Sequence, residues 1–90
     1  MLFMIVERFR TRGARAVYRR AIEKGRMMPD DIRYVSSWVD LDFTICWQLM
    51  EAEKQEDLDP WLDKWRDLVD FDVIPVRTSA EAFEVIKPLL

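Results

Sequence analysis

The 90-residue chain has no histidine, one cysteine and only two glycines. Without histidine it lacks the side chain that most often acts as general base near neutral pH, and the commonest metal ligand. Cys46 stands alone, so no intrachain disulfide can form, which fits a reducing compartment. A metal would have to be held by carboxylates and carbonyls. The acids Glu51, Glu53, Glu56, Asp57 and Asp59 lie close together but have neither the glycine nor the ligand spacing of a calcium loop. Gly13 and Gly25 do not make a glycine-rich phosphate loop. No run approaches the ~20 apolar residues of a membrane span. The apolar start, residues 1–6, is shorter than a signal-peptide core and runs straight into Glu7 and Arg8. These absences predict a cytoplasmic protein with no metal, no cofactor and no membrane partner.

What is present is apolar bulk. Half the chain is hydrophobic, with four Trp, five Phe and two Tyr. The length makes one domain over residues 1–90, and a domain this small buries only about 60–65% of its unfolded surface. That is more large apolar surface than one small core hides, and a homodimer is the expected remedy. The net charge of −3 is unevenly spread: residues 1–33 hold nine basic and four acidic side chains, +5, which leaves −8 for the rest. A basic patch can meet phosphates, or it can be a solvated helix face complementary to an acidic second half. No aromatic interleaving or nucleic-acid motif accompanies these arginines, so no nucleic-acid partner is expected.

Along the chain, residues 2–9 are nearly all apolar and predict a strand covered on both faces. Ala14, Val17, Tyr18, Ala21 and Ile22 form one helical stripe over residues 14–24, with Gly25 placed as a left-handed cap. Residues 10–13 are the intervening loop. A β-hairpin follows, with strands near residues 33–39 and 44–51, the first serine-bearing and the second apolar at its centre. Leu58, Trp61, Leu62, Trp65, Leu68 and Val69 recur at helical spacing after Asp57, Asp59 and Pro60, which suit a first turn. Residues 71–77 make a last strand whose Pro75 places it at an edge. Thr78 or Ser79 caps a short helix over residues 80–86, ended by Pro88. The order β-α-β-β-α-β is the split βαβ, ferredoxin-like α+β arrangement: a four-stranded antiparallel sheet in the order 4-1-3-2, with strands one and three central.

A two- or four-residue turn in the hairpin pairs residue 38 with 45 and 36 with 47. One face then holds Ile32, Tyr34, Ser36 and Trp38 with Ile45, Trp47 and Leu49. Being bulky and apolar, it is expected under the helices, against Val17, Ala21, Trp61 and Trp65. The other face holds Arg33, Val35, Ser37 and Val39 with Thr44, Cys46, Gln48 and Met50, and is expected to be open. Cys46, Gln48 and Met50 would then lie near a dimer interface. A slip of one residue exchanges the faces.

Several pieces together carry a resemblance: Gly25-Arg26-Met27-Met28-Pro29, Tyr34 with Ser37-Trp38-Val39, Cys46 with Gln48-Leu49-Met50-Glu51, Trp61 with Trp65, Asp67-Leu68-Val69-Asp70-Phe71, and Pro75-Val76 with Thr78-Ser79. The chain resembles the short bacterial proteins of an uncharacterised domain-of-unknown-function family in the dimeric α+β barrel superfamily. The resemblance covers nearly the whole chain. It implies a ferredoxin-like protomer whose sheet packs face to face in a homodimer, and it brings no catalytic residues. The wider superfamily includes cofactor-independent monooxygenases, haem-handling enzymes and isomerases, whose histidine-based sites have no counterpart here.

The candidate ligand-binding residues are Arg26, Tyr34, Ser36, Ser37, Trp38 and Gln48. Arg26 leaves the first helix just before the edge strand that carries Tyr34 and Trp38. An arginine beside aromatic rings can hold a carboxylate or phosphate while the rings bury an apolar body. Gln48, mid-strand, needs hydrogen-bond partners, from a ligand or from across an interface. Cys46 has no visible partner base and reads as a buried structural thiol. Trp61 and Trp65 read as core. Three functions follow: a small barrel that binds a partly apolar or anionic molecule, a purely structural homodimer, or a monooxygenase- or isomerase-like enzyme.

Overall fold

A computed structural model describes residues 1–10 and 13–90. Strand β1 is Leu2–Phe9 and helix α1 is Gly13–Lys24; the hairpin strands are β2, Arg33–Val39, and β3, Ile45–Glu51. A 3-10 turn, Gln55–Leu58, runs into the short helix α2, Asp59–Asp63; then come β4, Val69–Val76, helix α3, Ser79–Ile86, and a 3-10 turn, Lys87–Leu89. The loop expected over residues 10–13 includes Thr11 and Arg12, which lie outside the described residues. The strands form one antiparallel sheet in the order β2-β3-β1-β4. The apolar runs are therefore central, and the runs with serines and Pro75 are edges, as the split βαβ pattern requires. No helix among the described residues is long and apolar enough to cross a membrane.

Phe3, Ile5, Met50, Leu58 and Leu62 lie wholly inside, packed with Ile32, Trp61 and Trp65. Each such side chain contributes about 1.5–3 kcal/mol by leaving water. All six members of the Leu58–Val69 stripe are buried, but only Asp59–Asp63 is α-helical. Beyond it the backbone tightens: Trp65 N–H bonds Leu62 O at 2.9 Å and Leu68 N–H bonds Trp65 O at 3.0 Å, both three residues back. Residues three apart share a side in tight turns as in helices, so the stripe stays inward without a long helix. Arg20 fastens the segment with paired bonds of 2.8 and 2.7 Å to the Asp67 carboxylate and one of 3.0 Å to Lys64 O.

The hairpin corrects the expected faces. Asp40 N–H bonds Ile45 O at 3.1 Å. The Asp40 carboxylate accepts from the amides of Thr44 and Ile45 at 2.7 and 2.8 Å and from the Thr44 hydroxyl. The turn is thus residues 41–44, and Trp38 pairs with Trp47 and Ser36 with Leu49, two residues beyond the expected register. Cys46, Gln48 and Met50 are buried under the helices, not at an open face. Ile45, Trp47 and Leu49, with Ser36 and Trp38, take the uncovered side. A bulge between Tyr34 and Ser36 resets the alternation, so Tyr34 lies opposite Met50 and still packs on the core. The inward positions of β1 decide the matter: Phe3 and Ile5, nearly unexposed, pair with Met50 and Gln48.

Candidate functional site

The site begins where α1 ends. Gly25 has φ +68° and its N–H closes on Ala21 O at 2.7 Å, the left-handed cap that glycine adopts without a Cβ penalty. That turn presents the Arg26 carbonyl to the tryptophans: the indole N–H groups of Trp61 and Trp65 both donate to it, at 3.0 and 3.1 Å. The Arg26 guanidinium lies 4.0 Å from the centre of the Tyr34 ring, within cation–π range. The Tyr34 and Ser37 hydroxyls share a hydrogen bond of 2.8 Å.

Between α1 and the sheet is a cavity of about 230 Å³. Val17, Tyr18 and Ala21 form one wall and Trp61 and Trp65 contribute another, while Glu7, Ser37, Cys46 and Gln48 rise from the strands and Arg26 stands at the rim. Tyr18 also meets the edge of Phe43 from the hairpin tip, 6.2 Å between ring centres. The volume is just below the ~300–1,000 Å³ of drug-sized sites, and the lining mixes aromatic walls with a few convergent polar groups.

Burial pushes the Glu7 carboxyl above its ordinary value, an effect that its hydrogen bond with Cys46 and the charge of Arg26 only partly offset. Burial likewise pushes the Cys46 thiol far up, and Glu7 adds to it. Both effects favour the neutral thiol of Cys46 over the thiolate that a nucleophile needs. Burial raises the Tyr18 phenol as well, keeping it a proton donor. Gln48 Nε2 donates to Met50 Sδ at 3.2 Å.

Of the residues singled out in the sequence, Arg26, Ser37 and Gln48 line the cavity. Tyr34 stands behind Arg26 and bonds Ser37, without lining the space. Ser36 and Trp38 pair with Leu49 and Trp47 on the opposite side of the sheet, away from it. The sequence reading missed Glu7 and Tyr18, and took Cys46, Trp61 and Trp65 for interface or core alone. Glu7 left a signal: it shares the inward alternation of Phe3, Ile5 and Phe9 on a central strand, where an acid is out of place. Among the described residues no group of three or more His, Cys, Asp or Glu is arranged to hold a metal ion.

Searches of curated proteins and of solved structures give no match to this chain. The family described as a domain of unknown function, DUF3303, matches residues 1–90, so the chain belongs to that family.

Proposed function

We propose that the protein binds a small, partly apolar carboxylic acid in the cavity between α1 and the sheet, and that it does so as a homodimer joined through its uncovered sheet faces, in the manner of a dimeric α+β barrel. One arrangement carries the reading: Arg26 at the rim of a space with aromatic walls and the polar groups of Glu7, Ser37 and Gln48 in its lining. A guanidinium grips a carboxylate with two parallel bonds, and aromatic walls shield the apolar body from water. The dimer is supported by the composition of the uncovered face, where Leu49 and Ile74 flank Met4 in the ladder, Trp47 pairs with Trp38, and Trp38 and Ile74 are about half exposed. Apolar patches of this kind are uncommon on monomers.

A thermal-shift screen of small aromatic and aliphatic acids tests the binding. Several should raise the melting temperature of the wild type and leave Arg26→Ala unmoved. Equal shifts in both proteins, or none in either, would refute the site.

A further inference from the structure

Among the described residues, the C-terminal segment is well formed but buries none of its side chains in its own protomer. Thr78 caps α3: its hydroxyl accepts the Glu81 amide at 3.1 Å and donates to the Glu81 carboxylate at 3.1 Å. Phe83, Val85, Ile86, Leu89 and Leu90 give the segment one apolar side, with Glu81 and Glu84 apart from it and the Lys87 ammonium 5.9 Å from the centre of the Phe83 ring at its border. Yet every residue from 77 to 90 is exposed, Phe83 at 54% and Leu90 at 92%. Among the described elements, α3 makes its substantial contacts with the turn that follows it. A lone helix shorter than ~12–15 residues is marginal in water, so eight residues with an unpacked apolar side require a partner.

The shape of the molecule agrees. Its radius of gyration is 14.8 Å and its long axis 48 Å, whereas a compact chain of this length has a radius near 12 Å. The segment projects instead of folding back.

We propose that Ser79–Ile86 and the turn after it form an arm that packs on a second copy of this chain, at the margin of the sheet-to-sheet contact. The proposal rests on the homodimer reading above. Area argues for the second copy. At ~4.8 Å between strands and ~3.3 Å per residue, four strands seven residues long cover only roughly 450 Å², and each partner of a standard stable interface buries about 800 Å². Accessible surface follows the side-chain relief and exceeds plan area, but a face this small makes a modest interface alone; an arm from each copy, bearing five large apolar side chains, enlarges it. The starting point fits. The arm leaves β4 just past Val76, which pairs with Leu2 at one end of the same uncovered face.

Sedimentation velocity at micromolar concentration tests the arm with three proteins: wild type, the double variant Phe83→Asp/Ile86→Asp, and a chain ended after Thr78. Wild type should sediment as a dimer. Both altered chains should dissociate at least tenfold more readily, with unchanged β-sheet circular dichroism, because no residue of the arm is buried in the protomer. A wild-type dimer that both altered chains form equally well overturns the arm and leaves the sheet-face dimer standing. A monomeric wild type overturns both.

Discussion

Glu7 is the residue whose chemistry departs furthest from its place in the sequence. On the central strand it occupies an inward position between Ile5 and Phe9, and burial raises its carboxyl above the ordinary value of 4.5. A carboxyl with a raised folded pKa binds its proton more tightly in the folded state. Its stabilising contribution is complete below the unfolded value and is lost as pH rises through the folded one. Urea denaturation of wild type and Glu7→Gln at a series of pH values should show the variant gaining on the wild type as pH rises above the ordinary carboxyl value of 4.5. A difference in stability that does not change with pH would show that Glu7 is solvated in the folded protein. Arg26 is the contrasting case. Its place after a capping glycine and before aromatic residues was legible in the sequence, because helix caps leave local signals. Its bond to two indoles was not, since those partners lie 35 and 39 residues away.

Elements were legible to the extent that their signals were local. Strand and helix positions, the central and edge strands and the α3 cap all follow from runs, periodicity and turn residues. The side of the sheet that the helices cover does not. Apolar bulk pointed to the Trp38–Trp47 side, but both sides of β3 carry apolar residues, and a bulge at residue 35 reverses the alternation on β2. Asp40 fixes the register by capping the turn with its carboxylate, a bond set that two alternative turn lengths left undetermined. The stripe from Leu58 to Val69 was right about burial and wrong about length, because a three-residue repeat serves a tight turn as well as a helix. The face assignment has a direct energetic consequence. Met50 is wholly buried, so Met50→Ala should cost about 2–5 kcal/mol in urea denaturation. Trp38→Ala, measured where the protein is dilute enough to be monomeric, should cost well under half as much. The reverse order would put the helices on the other side.

At the scale of the molecule, the four tryptophans divide between two faces of one sheet. Trp61 and Trp65 wall the cavity under α1, and Trp38 and Trp47 pair on the uncovered side. In the proposed reading one face takes a ligand and the other a second copy, and neither role would require histidine, metal or disulfide. Fluorine NMR of protein labelled with 5-fluorotryptophan separates the two, with each resonance assigned by a Trp→Phe variant. Titration with an acid that raises the melting temperature should move Trp61 and Trp65 and leave Trp38 and Trp47 in place; dilution should move Trp38 and Trp47 alone. A ligand that shifts the Trp38 and Trp47 resonances while Trp61 and Trp65 stay still would contradict the account.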